Sequence, residues 1–290
     1  MDTLRAAVTG PDIRRAKGQR RLVMITAYDA PSAALADAAG VDMLLVGDSL
    51  GMAVLGRRDT LSVTMEEMLH HCRAVSAAGT RALVVGDMPF MSYEPDPRTA
   101  LINAGRLMAE GGARAVKLEG GVTAAAQIRA LTAAGIPVMG HVGLTPQRVA
   151  ALGGFKVQAK SAKSAALVLE DALAVQEAGC FAVVLECLPA GVAAQITARL
   201  EIPTIGIGAG ADCDGQVLVF HDALGLTRGH SPKFVKKYAD LGSIITDALG
   251  TYAAEVRAGT FPDAAHSFSM SEEEEARLSQ ALDAVAGKRA

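Results

Sequence analysis

The chain has 290 residues, half of them hydrophobic and a fifth charged, with a formal net charge of −3. That length fits one large domain or two ordinary ones. The composition is that of a core-forming globular chain, and the charge balance excludes a general attraction to nucleic acid. The short basic cluster Arg14, Arg15, Lys17, Arg20, Arg21 carries no aromatic residue and reads as solvated surface. Cys72, Cys180, Cys187 and Cys213 form no CxxC pair and have no histidine at zinc-ligand spacing. The N-terminal segment lacks an apolar signal core, and no apolar run reaches the roughly 20 residues of a spanning helix. A cytoplasmic chain with free thiols, and with no membrane or nucleic-acid partner, is expected.

Eight short apolar runs follow in chain order, each bounded by turn residues: 22–29, 42–49, 81–89, 114–121, 137–143, 181–189, 203–210 and, least clearly, 215–222. They are too short for most helices and too continuous for half-exposed strands, which predicts strands of a parallel sheet buried on both faces. Between them lie Ala-rich segments with helical spacing at 32–40, 64–79, 99–112, 123–135 and 164–180. Gly40, Gly79, Gly112, Gly135 and Gly179 stand where such helices would end. About eight β-loop-α-Gly units predict an α/β protein of the (β/α)8 TIM-barrel class; a doubly wound open sheet is the alternative. The barrel is expected to occupy residues 1–268. Residues 269–290 are expected to form one added helix, with Ser271 as its N-cap and acids in its first turn.

The strand ends carry the chemistry. Asp29, Asp48, Asp87, Lys117 with Glu119, His141, Glu186 and Asp222 all fall at or just after the C-terminal end of a predicted strand. In a barrel these ends face one mouth. Several carboxylates aimed at one place repel unless a cation neutralises them, so the pattern argues for a divalent metal. The donors are oxygens with no thiolate cluster, which favours Mg²⁺ over zinc, with Mn²⁺ or another divalent ion also accommodated. Asp29 and Asp222 serve equally well as helix caps. Lys117 and Glu119 share one face of a strand, where the lysine would hold either a substrate carboxylate or one of the acids. His141 would make a polar contact to substrate.

The segment GIGAGA at 206–211 matches a dinucleotide fingerprint, but no helix opens after it and no acid ends a second strand about twenty residues on. Nicotinamide and flavin binding are excluded on that ground, and these glycines are read as letting a ligand or a side chain approach the backbone. The loop 143–164 is long and contains glycine; it would serve as a lid or ligand contact, or as an ordered surface at a subunit contact.

The motifs ITAYD, LLVGDSLGM, DMPFMSY, VKLEGG, GHVGLTPQ, GGFKVQ, VLECLP, IGIGAG, DGQVLVFHDALG and GHSPKFVKKY occur in this order over residues 4–268. Together they resemble the ketopantoate hydroxymethyltransferase family. The resemblance implies a (β/α)8 barrel that moves a hydroxymethyl group from 5,10-methylenetetrahydrofolate to 3-methyl-2-oxobutanoate, in the first step of pantothenate synthesis. It implies Mg²⁺ held by Asp48, Asp87 and Glu119, keto-acid contacts from Ser49 and Lys117, a base at Glu186, and a family histidine at His141. It also implies a homo-oligomer, a decamer of stacked pentamers. Two rivals are a Mg²⁺-dependent 2-keto-acid lyase of the isocitrate-lyase-like barrels and a binding protein on a retired barrel. The lyase would carry a cysteine on the loop after the fourth strand, where this chain reads Glu119-Gly120-Gly121-Val122-Thr123; the retired barrel would have lost carboxylates that are all present.

Overall fold

The computed structural model describes residues 6–227, 229 and 232–287; of the turn at 225–234, Arg228, His230 and Ser231 lie outside the described residues. Each apolar run contains one strand: β1 Leu22–Thr26, β2 Met43–Val46, β3 Leu83–Asp87, β4 Ala115–Lys117, β5 Val138–Gly143, β6 Ala182–Glu186, β7 Thr204–Ile207 and β8 Gly215–Leu218. They pair in parallel in the order β1 to β8, and β8 closes on β1. The (β/α)8 barrel is therefore the observed architecture. The open-sheet alternative fails because β8 registers against β1, Leu22 opposite Gly215 and Val23 opposite Gln216. The eighth run is a strand only in its first half, and Phe220–Ala223 is a single helical turn.

Alternation along the strands divides two cores. Met24, Met43, Leu45, Leu83, Val85, Ala115, Met139, Ala182, Val184, Ile205 and Val217 fill the lumen. Leu44, Val46, Val84, Val116, Val138, Val142, Val183 and Leu185 pack outward against the helices. The lumen's N-terminal end also holds Val8, Ile13, Ala16, Leu22 and Phe181. Ile13 is fully buried on the helix Gly10–Arg15, which so plugs the barrel floor.

The helix-ending glycines take the left-handed backbone that side chains with a Cβ resist, φ +85° at Gly40 and +101° at Gly179. The β7–β8 connection is different. Residues 208–214 form bends and turns, so no helix N-terminus follows the fingerprint-like glycines. A Cβ on Gly208 would stand 2.7 Å from the Phe234 ring, and one on Gly210 would stand 2.5 Å from the Ala190 Cβ. These glycines admit side chains.

The chain divides into two units, Met1–Ala239 and Asp240–Ala290. In the second, the helix Leu241–Ala258 carries Leu241, Ile245, Leu249, Tyr252 and Val256 on one stripe. The helix Glu272–Ala286 begins as expected: Ser271 Oγ accepts from the Glu274 amide at 3.4 Å, and Glu272 to Glu275 fill the first turn. No helix among the described residues is long and apolar enough to cross a membrane.

Candidate active site

Strand parity builds the site. Leu83 and Val85 face the lumen, so Asp87, two residues on, stands above them. By the same parity Ala115 leads to Lys117 and Glu119, Met139 to His141, and Val184 to Glu186. Asp48 and Ser49 follow β2 after Gly47. One end of the barrel thus collects Asp48, Asp87, Lys117, Glu119, His141 and Glu186. All are buried except Glu186, whose side chain is 16% exposed.

Asp87 lies opposite Lys117 in the β3–β4 register. The Lys117 ammonium donates to both of its oxygens, at 2.7 and 2.9 Å. Of the two expected partners for this lysine, the acid of the site is in contact with it. The Asp48 amide also donates to Asp87 Oδ2 at 3.2 Å. Burial and the charges of Asp87 and Glu119 push the Asp48 carboxyl well above its ordinary value. Burial raises Asp87 too, against the pull of Lys117. Burial would lower Lys117, but Asp87, Glu119 and Asp48 outweigh it and hold the ammonium protonated.

His141 stands between two acids. Its Nδ1 is 3.5 Å from Glu119 Oε1 and its Nε2 is 3.1 Å from Glu186 Oε2. Neither nitrogen makes an aligned hydrogen bond, so these are charge contacts. Burial and Lys117 lower the imidazole, but Glu119 and Glu186 prevail and raise it to about 9. Burial would raise Glu119, yet His141 and Lys117 leave it below its ordinary value. Cys187, at φ +49°, turns the chain away directly after Glu186.

Asp29 and Asp222 do not join this set. Asp29 caps the helix Ala30–Ala38 through a 2.7 Å bond from the Ser32 amide. Asp222 accepts from the Thr227 hydroxyl at 2.6 Å. Ser49 Oγ pairs with the Tyr28 hydroxyl at 2.9 Å, and burial pushes that phenol up to about 12. Gly47 and Gly51 are required for space: a Cβ on Gly47 would meet Ser49 Oγ at 2.8 Å, and one on Gly51 would meet Val63 at 2.7 Å.

Two buried residues that charge-based reading passes over join the acids together. Gln147 Nε2 donates to Asp48 Oδ2 and to the Met88 carbonyl, both at 2.9 Å, and its backbone amide donates to Glu119 Oε2 at 3.0 Å. Tyr93 donates to Gln147 Oε1 at 2.7 Å and accepts from the Glu119 amide at 3.2 Å. Both residues sit inside the motifs DMPFMSY and GHVGLTPQ. Neither ends a strand or carries a charge, so only their place in the motifs could have marked them.

The donor set suits a hard cation in character. Three buried carboxylates, Asp48, Asp87 and Glu119, face a single lysine and one imidazole, and burial together with the charges of Asp87 and Glu119 raises Asp48. Among the described residues no three His, Cys, Asp or Glu side chains converge tightly enough to enclose an ion alone. Mg²⁺ asks for less, one or two protein carboxylates with water or substrate completing its shell.

The glycines of VKLEGG have separate reasons. Gly120 has φ +118°, and a Cβ on Gly121 would lie 2.0 Å from Asp171 Oδ1. Gly121→Ala is expected to cost about 1–3 kcal/mol by overpacking, measured by urea unfolding. Unchanged stability would show that Asp171 can move aside.

Residues 7–264 match the family profile described as ketopantoate hydroxymethyltransferase. The 3-methyl-2-oxobutanoate hydroxymethyltransferase of Oleidesulfovibrio alaskensis is 63% identical over 271 residues, covering 93% of this chain and 94% of the relative. That of Syntrophobacter fumaroxidans is 58% identical, covering 94% and 96%. Among solved structures, phosphonopyruvate hydrolase in complex with oxalate and Mg²⁺ superposes with a TM-score of 0.59 at 14% identity, covering 97% of this chain and 98% of that one. 2,3-Dimethylmalate lyase, a member of the PEP mutase/isocitrate lyase superfamily, gives 0.56 at 18%, covering 97% and 99%. Those two share the fold. The profile match and the high identities place the function more narrowly: the chain belongs to the ketopantoate hydroxymethyltransferase family, a family of transferases.

Proposed function

We propose that this chain transfers the one-carbon unit of 5,10-methylenetetrahydrofolate to 3-methyl-2-oxobutanoate, giving 2-dehydropantoate and tetrahydrofolate, with Mg²⁺ as its cation. The observation that carries the reading is the convergence of Asp48, Asp87, Lys117, Glu119, His141 and Glu186 at one end of the lumen. Support for the metal comes from the surplus of buried carboxylate and from the Mg²⁺ and oxalate in the like-folded hydrolase. Asp48, Asp87 and Glu119 would hold the ion. When bound it supplies Lewis-acid stabilisation of negative charge developing on the keto oxygen.

The remaining work falls to the chain's own groups. Lys117 has a third N–H after its two bonds to Asp87, available to the substrate carboxylate, and the Ser49 hydroxyl would hold the same end. Glu186 would take the C3 proton of the keto acid. His141 Nε2, 3.1 Å from Glu186 Oε2, would steady that carboxylate. Water would release the methylene carbon from the folate as formaldehyde, leaving tetrahydrofolate; the C3 carbanion would add to that carbonyl carbon, and the alkoxide so formed would take back the proton held by Glu186 to give the hydroxymethyl group.

The test is exchange of the C3 proton of 3-methyl-2-oxobutanoate in D₂O, followed by NMR. Exchange that requires Mg²⁺, and 2-dehydropantoate on adding methylenetetrahydrofolate, are expected. A folded sample that exchanges nothing with or without the folate overturns the reading. Keto-acid cleavage in place of addition would favour the lyase.

A homo-oligomer, a decamer by family resemblance, belongs to the same proposal. The apolar stripe of the helix Leu241–Ala258 supports it, since such a stripe requires a partner surface. Light scattering should return about ten chain masses; a monomer would reject this part.

A further inference from the structure

The loop after β5 reaches the carboxylates of Asp48 and Glu119 through one residue, Gln147. Leu144 donates to the Glu186 carbonyl at 2.9 Å, Gln147 binds Asp48, Glu119 and Met88, and Gln158 donates to the Cys187 carbonyl at 2.9 Å. Between Gln147 and Gln158 the loop is exposed at Phe155 and Val157. Its hold on the acids is therefore concentrated in Gln147, which is 2% exposed.

The orientation of that amide is fixed by its surroundings. Both groups facing Nε2, the Asp48 carboxylate oxygen and the Met88 carbonyl, accept hydrogen bonds, and the Tyr93 hydroxyl donates on the other side. Turning the amide over would set oxygen against two oxygens. Tyr93 also accepts from the Glu119 amide. One buried hydroxyl thus contacts both the Gln147 side-chain oxygen and the backbone that carries Glu119.

We infer that Gln147, oriented by Tyr93, is a positioning residue that holds Asp48 and Glu119 in register for the cation and couples the order of loop 144–158 to cation binding. It touches no reacting atom. Linkage requires the coupling to run both ways: whatever orders the acids must steady the loop, and whatever frees the loop must weaken the cation. The inference rests on the metal reading above. Loss of an outer partner of a metal ligand typically costs 10–100-fold in affinity.

The test uses the full chain with Mg²⁺ alone as the probe, by calorimetry and by amide hydrogen exchange. Saturating Mg²⁺ is expected to slow exchange in residues 144–158 of the parent. Gln147→Met keeps the volume and removes the donors; its Mg²⁺ dissociation constant should rise about tenfold or more, and Mg²⁺ should no longer protect the loop. Tyr93→Phe, which removes one atom, should shift both readouts in the same direction by a smaller factor and guards against a Gln147 variant that fails to fold. A purely structural role would lower the melting temperature and leave the Mg²⁺-dependence of exchange intact, which overturns the inference. So does parental Mg²⁺ affinity in both variants. A parent chain that binds no Mg²⁺ overturns the metal reading itself, a distinct result.

Discussion

Glu186→Gln is expected to suppress Mg²⁺-dependent exchange of the C3 proton by about 10²–10⁴-fold, the usual contribution of a positioned base, while keto-acid binding stays within a few-fold. The substitution keeps the shape of the side chain and removes its proton acceptor. The groups proposed to bind the carboxylate, Lys117 at the end of β4 and Ser49 after β2, lie on other elements and keep their partners Asp87 and Tyr28. Glu186 is suited to the role by position. It is the last residue of β6, shares the lumen-facing parity of Val184, and alone among the converging acids keeps part of its side chain open to solvent. Asp48, Asp87 and Glu119 are sealed among one another and their hydrogen-bond partners. NMR exchange rates and calorimetric keto-acid affinity, measured on the same sample, check the result. Exchange within tenfold of the parent would remove Glu186 from the role of base.

Asp87→Asn is expected to injure the protein twice. The Lys117 ammonium, 3% exposed, spends two of its three donors on Asp87. Removing one partner of a buried ion pair while the other stays charged typically costs about 3–5 kcal/mol. Mg²⁺ affinity should fall at the same time, because the carboxylate proposed to bind the ion is gone. The double variant Asp87→Asn with Lys117→Met separates the two effects. Most of the stability should return, since both members of the pair have been neutralised, while the Mg²⁺ affinity should not. Denaturant unfolding and calorimetry read the two quantities independently. Unchanged Mg²⁺ affinity in the single variant would withdraw Asp87 as a ligand, whatever happens to stability.

Much of this molecule was legible before any coordinates. Each β-run has the length and apolar continuity of a doubly buried strand, and Gly40 and Gly179 end helices in a conformation that favours glycine. These are local properties. Period-two alternation then carried Lys117 and Glu119 to one face, where the structure places them. The same local logic left Asp29 and Asp222 open, because an acid after a strand looks alike whether it caps the next helix or faces the lumen. Only hydrogen bonds from Ser32 and Thr227 decide that both are taken locally.

By itself, then, the sequence determined the run of β/α units, the strand ends that carry the acids, and the family, because strand length, residue parity and motif order are written along the chain. The tertiary structure alone decided that β8 closes on β1, that Lys117 pairs with Asp87, and that His141 stands between Glu119 and Glu186. It alone showed that Gln147 and Tyr93 tie the acids together, across separations of 99 residues from Asp48 to Gln147 and 54 from Tyr93 to Gln147. The physical reason is range. Patterning fixes where a side chain points from its own strand, whereas charge neutralisation and buried hydrogen bonding are settled between strands that meet only when the barrel closes.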